Sequence, residues 1–79
     1  MRLDKYLKVA RIIKRRTVAN EVCDAGHACV NGRKVKASYD VKIGDIIEIT
    51  MGSNTIKIQV LSVSEYATKE TASAMFKTL

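Results

Sequence analysis

The sequence predicts an α+β domain: two N-terminal helices packed on a small antiparallel sheet, with a short C-terminal helix closing the chain. Three observations carry this. Leu3, Tyr6, Leu7, Ala10 and Ile13 recur at spacings of three and four, the apolar stripe of an amphipathic helix. Asn31-Gly32 sits between two short runs of strand character, a strong hairpin signal. Further on, Ile56, Ile58 and Val60 alternate with Lys57, Gln59 and Leu61, the period of a half-buried strand.

Helix one is expected over residues 3–13, with its apolar face inward. Arg2, Lys5, Lys8 and Arg11 then step along the opposite side as a cationic stripe, with Asp4 the one acid near the N-terminus, where it suits the helix dipole. Lys14-Arg15-Arg16-Thr17 breaks the apolar pattern, and Thr17 is the expected N-cap of a second helix over about Val18 to Ala25. Val18, Ala19, Val22 and Cys23 give that helix its apolar side, and Gly26 ends it.

A type I′ hairpin is expected at Asn31-Gly32, with Val30 and Val35 toward the core and Arg33, Lys34 and Lys36 crowding the return strand. Gly44-Asp45 marks a turn before a strand, and Gly52-Ser53-Asn54 connects it to the alternating strand. Thr68 is expected to cap a C-terminal helix with Ala72, Met75, Phe76 and Leu79 on one face.

A chain of 79 residues, 47% hydrophobic and 28% charged, suits one domain. A domain this small buries roughly 60% of its unfolded surface and has little core to give up for a deep cleft, so surface recognition is expected over catalysis. No Ser-His-Asp order, carboxylate pair or phosphate-cradling glycine loop is present, and Glu21 and Asp24 read as the polar face of helix two. Cys23 and Cys29 lack the paired spacing of a zinc site and read as small apolar groups; no metal or cofactor is expected, with or without His27. No apolar run approaches the roughly 18 residues needed to span a bilayer, so a cytoplasmic location is expected and no membrane partner.

Charge is the stronger functional signal. Residues 1–36 hold ten Lys or Arg against three acids, +7, whereas residues 37–79 hold four against five, −1. Half of a small domain therefore carries a concentrated positive field, the footprint of a polyanion binder. Seven of the cations fall between Arg2 and Arg16. Among them Arg16 stands out, because its planar fork beside a helix start suits phosphate oxygens. Tyr6 is expected in the core, and Tyr39 is open to either packing or base stacking.

In order and spacing, R-L-D-x-x-L on helix one, the basic break K-R-R-T, a helix ending A-G and the hairpin V-N-G-R-x-V resemble the ribosomal-protein S-four-type RNA-binding domain, the αL motif. The likeness covers about residues 2–50, leaving a third strand and C-terminal helix over about 55–79 within a single RNA-binding domain of residues 1–79. It implies that Arg2, Lys5, Arg11, Lys14, Arg15, Arg16 and Thr17 face RNA, together with Asn31, Gly32 and Arg33 of the hairpin; Lys8, Lys34 and Lys36 join them on charge. His27 and Asn20 depart from the cations common at those positions.

The full chain is similar to short stand-alone members of this family that serve bacterial ribosome quality control. That likeness implies a monomeric, non-catalytic factor on large ribosomal subunits obstructed by peptidyl-tRNA. It would contact large-subunit rRNA and P-site tRNA and work with RqcH during untemplated alanine tailing of the nascent chain. Alternatives are a heat-shock-type rescue factor for blocked large subunits, which normally has a longer basic tail, and a basic module for an acidic protein. Helix-turn-helix DNA binding is disfavoured, because the cations lie on the first helix and strands follow the second directly.

Overall fold

The computed structural model describes residues 1–79. Helix α1 (Leu3–Val9) and helix α2 (Arg16–Val22) precede strands β1 (Ala28–Val30), β2 (Arg33–Lys34), β3 (Ile46–Met51) and β4 (Asn54–Val60); a single helical turn, α3 (Lys69–Ala72), leads into β5 (Phe76–Thr78). All strands pair antiparallel in the order β2-β1-β3-β4-β5. No helix is long and apolar enough to cross a membrane.

One core joins the helices to the sheet. Leu3, Tyr6, Leu7, Ala10, Ile13, Ala19 and Cys23 meet Val30, Ile47, Ile49, Ile58 and Val60. The alternation read from residues 55–63 is kept: Ile58 and Val60 are buried, while Lys57 and Leu61 face solvent. Asn31 and Gly32 both take positive φ (53° and 83°) inside a Val30↔Arg33 pair, the two-residue loop a type I′ turn requires. Met51 pairs with Asn54, so the β3–β4 loop is only Gly52-Ser53.

Three boundaries differ from expectation. Helix α1 stops at Val9, although Ala10 and Ile13 continue its apolar period and are buried. Its exit has the Schellman pattern: the Ile12 N–H donates to the Leu7 carbonyl at 3.0 Å and the Arg11 N–H to the Lys8 carbonyl at 3.1 Å, with Arg11 left-handed (φ 61°) where glycine is usual.

Helix α2 starts earlier than Thr17. Arg15 holds the extended N-cap conformation (φ −116°, ψ 130°), its carbonyl accepts the Ala19 N–H at 3.0 Å, and no side chain caps the turn. Thr17 lies inside the helix. The chain after α2 widens into a looser turn over Cys23–His27, ended by Gly26 at φ 89°.

At the C-terminus, Thr68 is a cap as expected: its hydroxyl accepts the Thr71 N–H, and the Thr71 hydroxyl accepts the Thr68 N–H. The helix nevertheless ends after one turn, and Phe76–Thr78 forms a fifth strand on β4 instead of continuing a helical face. So short a helix is marginal by itself, whereas the open edge of β4 offers backbone partners. The segment is also tied to α1, since the Met75 carbonyl accepts the Tyr6 hydroxyl at 2.9 Å and the Leu61 N–H at 2.8 Å.

Candidate nucleic-acid interface

The backbone sets the start of α1 before any side chain acts. Arg2 forms an isolated antiparallel bridge with Asp40, and the Leu3 N–H donates to the Tyr39 carbonyl at 2.8 Å. With Leu3 and Leu7 fully buried, the intervening turn directs Asp4 toward α2 with only 3% of its side chain exposed.

That carboxylate collects donors from three directions. Arg2 forks onto it, Nε to Oδ1 at 3.2 Å and Nη2 to Oδ2 at 3.4 Å. Asn20 Nδ2 donates to Oδ2 at 3.2 Å, and the Lys5 backbone N–H to Oδ1 at 2.8 Å. Arg16 approaches more loosely, with Nη2 at 3.5 Å from Oδ1 and Nε at 3.5 Å from Oδ2. Burial pushes the Asp4 carboxyl up, but the bonds from Asn20, Arg2, Lys5 and Arg16 outweigh it and hold the group below the usual carboxylate range. It is an anion at neutral pH.

One buried anion thus holds two guanidiniums whose side chains remain about half exposed, 50% for Arg2 and 46% for Arg16. The pair keeps one surplus positive charge and several outward N–H donors, the complement of a phosphate. Arg16 and Thr17 line a shallow cleft of 350 Å³ over Asp4, with Asn20 and Glu21. Helix α2 therefore enters the site through both Arg16 and Asn20, whose amide donates to the carboxylate.

The other cations divide into separate groups. Lys8, Arg11 and Lys14 line a second cleft, of 270 Å³, with Lys69 of α3. Lys5 turns toward the C-terminal segment and pairs with Glu65 at 3.4 Å. Arg15 is exposed. Lys34 and Lys36 line a third cleft with Cys23, Gly26 and Val35, and Lys36 Nζ donates to the Asp24 carbonyl at 3.2 Å. Arg33 is exposed on the short edge strand β2.

Asn31 has a structural task. Its Nδ2 donates to Asp45 Oδ1 at 3.1 Å, and its Oδ1 accepts the Ile46 N–H at 3.0 Å. Asp45 also accepts the Tyr39 hydroxyl at 2.8 Å and the Lys42 N–H at 2.9 Å. Burial raises its carboxyl and these bonds more than reverse the effect, leaving it low. Tyr39 is thereby assigned to packing and to holding Asp45. Tyr6 is fully buried, as expected, and burial pushes its hydroxyl up to about 12.

Cys23 is buried and pushed up to about 11, by burial first and then by the nearby Asp4 and Asp24 charges. Cys29 is half-buried on β1, and His27 is exposed. Asp24 accepts the Ala37 N–H at 2.9 Å, a structural bond between α2's exit and the loop after β2.

The sequence places Asp4 among the cations, next to Arg2 and the helix dipole; what it does not show is that Arg16 and Asn20, from the second helix, converge on the same carboxylate.

A helix pair presenting basic residues over a small antiparallel sheet, with an N-G-R hairpin beside it, defines a class of protein. The S4 domain family model matches residues 1–47, and the chain belongs to that family. Over nearly its whole length it is similar to proteins called RQC P-site tRNA stabilizing factor (RqcP). It is 51% identical to the one from Streptococcus pneumoniae over 98% of this chain and 88% of the relative, and 47% identical to the one from Bacillus subtilis over 100% and 92%. It is 35% identical to a heat shock protein 15 homolog of Aeromonas salmonicida, over 82% of this chain but 49% of that protein. The trimeric structure of Vibrio cholerae heat shock protein 15 superposes with a TM-score of 0.91 at 29% identity, covering all of this chain and 81% of that one.

Proposed function

We propose that this chain is a non-catalytic RNA-binding factor of ribosome quality control. It binds large ribosomal subunits that still carry peptidyl-tRNA, contacts large-subunit rRNA and P-site tRNA, and supports RqcH-directed alanine tailing of the nascent chain. It works as a monomer in the cytoplasm, at the ribosome.

The observation that carries this reading is the Asp4-held pair of Arg2 and Arg16 on a chain whose full-length relatives are named for stabilizing P-site tRNA. A stable anion under two half-exposed guanidiniums fixes their direction, which fits binding one polyanion in one register and gives nothing to bond chemistry. The quality-control role is favoured over heat-shock-type rescue because those relatives align over 88% and 92% of their own length, the heat shock homolog over 49%.

Sedimentation of tagged protein from cells tests this. It is expected with free large subunits carrying peptidyl-tRNA and alanine-tailed chains, and the association should be lost in Arg16→Ala. Association with large subunits that lack alanine-tailed chains would support the rescue role instead. Co-purification that resists ribonuclease and lacks nucleic-acid absorbance would favour an acidic protein partner.

A further inference from the structure

The C-terminal segment lies outside the S4 match yet contributes to the basic surface. Lys69, at the start of α3, meets Lys8, Arg11 and Lys14 around the 270 Å³ cleft, whose lining includes no acid. None of the four cations forms an ion pair within the chain. Beside it, sharing Lys8 and Arg11, runs a groove of 580 Å³ lined also by Val9 and by Glu65 through Thr68. Its one acid, Glu65, is already paired with Lys5.

Tyr66 lines this groove with 88% of its surface exposed, the most of any large hydrophobic residue in the chain. A ring that open gains nothing from the core, and an aromatic face beside unpaired cations is the usual platform for a nucleobase with its phosphates. Arg11 adds a further sign. Its left-handed backbone is the conformation glycine occupies at no steric cost, so this site keeps a cation at the expense of local strain.

We propose that Tyr66 and the Lys8–Arg11–Lys14–Lys69 cleft form a second RNA contact that takes one unpaired nucleotide, the base stacked on Tyr66 and its flanking phosphates on the four cations. This rests on the reading of the chain as an RNA-binding factor and adds to it a contact made by the C-terminal segment.

The chain has three tyrosines and no tryptophan, so the part of its tyrosine emission that Tyr66→Phe removes belongs to this site. Short oligouridylate should quench that emission in the wild type. In Tyr66→Phe the quenching should vanish while affinity is retained. Binding to large subunits carrying P-site tRNA should weaken roughly 5- to 150-fold in Tyr66→Ala, the range for one lost base stack, with its salt dependence unchanged. In Lys69→Ala the log–log salt slope should become shallower by about 0.7.

If the wild type and Tyr66→Phe quench alike while Arg16→Ala still abolishes subunit binding, the second contact is refuted and RNA binding through Arg16 stands. If Tyr66→Ala and Lys69→Ala lose subunit binding without any quenching by oligouridylate, the cleft takes a protein surface and the proposal is overturned. If quenching is seen but Arg16→Ala binds normally, the second contact stands and the Arg2–Arg16 site is the one refuted.

Discussion

Replacing Asp4 with asparagine keeps the size of the side chain and removes what organises the site. An amide offers one acceptor oxygen and turns an N–H2 toward donors from Arg2 and Asn20, which approach at 3.2 to 3.4 Å. A hydrogen bond to a charged group contributes roughly 1.5–3 kcal/mol, and breaking a fully buried ion pair costs about 3–5 kcal/mol. Both arginines are half exposed, so water recovers part of this, and Asp4→Asn should destabilise the fold by about 2–3 kcal/mol. In a domain of this size that corresponds to a Tm lowered by roughly 10–20 °C, read by circular dichroism at neutral pH. Acid supplies a second reading. The Asp4 carboxyl lies below its ordinary value of 3.8 in the fold, so its stabilisation is complete above that value and is lost as pH falls through the lower folded one. The gap between wild type and Asp4→Asn should therefore close at strongly acid pH. A Tm drop under roughly 3 °C, or a gap that persists in acid, would refute the idea that this carboxylate organises the site.

The exit of α1 should respond in the opposite sense: Arg11→Gly relieves a left-handed arginine and is expected to stabilise the fold by about 1 kcal/mol while weakening binding to large subunits, as chemical denaturation and sedimentation would show. Asn31→Ala removes the amide bridging Asp45 and the Ile46 N–H as well as a side chain tolerant of positive φ, and should cost about 1–2 kcal/mol by urea unfolding. Toward a thiol reagent at pH 8, Cys29 should react well before Cys23, which is buried and has its thiol pushed up to about 11; equal rates in the folded protein would contradict the packing at α2.

Periodicity and turn chemistry made most of the fold legible. Asn31-Gly32 specified its hairpin because few residues accept two positive φ values in succession. Ile56, Ile58 and Val60 identified the inner face of β4, although Ile56 is only half buried near the hairpin end. Where the stripe outran the helix, as at Ala10 and Ile13, burial had a different cause: the chain turns back on itself after Val9 and still points those side chains inward. No glycine announces that turn, since Arg11 occupies its place. Strand β5 was hidden because Thr68 is a real cap, and nothing local says that its helix lasts one turn before β4 captures the chain. The cations of the candidate site were legible as charge. Their grouping was not, because it depends on contacts between distant segments: Arg16 and Asn20 on Asp4, Glu65 on Lys5, and Lys69 beside Lys14.

Whether a basic surface organised around Asp4 grips RNA phosphates is decided by the salt dependence of binding to purified large subunits. With roughly four to six phosphates neutralised, log affinity should fall against log salt with a slope of about −3 to −5. Arg16→Ala should weaken binding strongly and make the slope shallower, whereas Lys57→Ala, on the solvent face of β4 and paired with Glu48 at 3.8 Å, should leave both unchanged. A slope near zero, or equal losses in the two variants, would contradict the account.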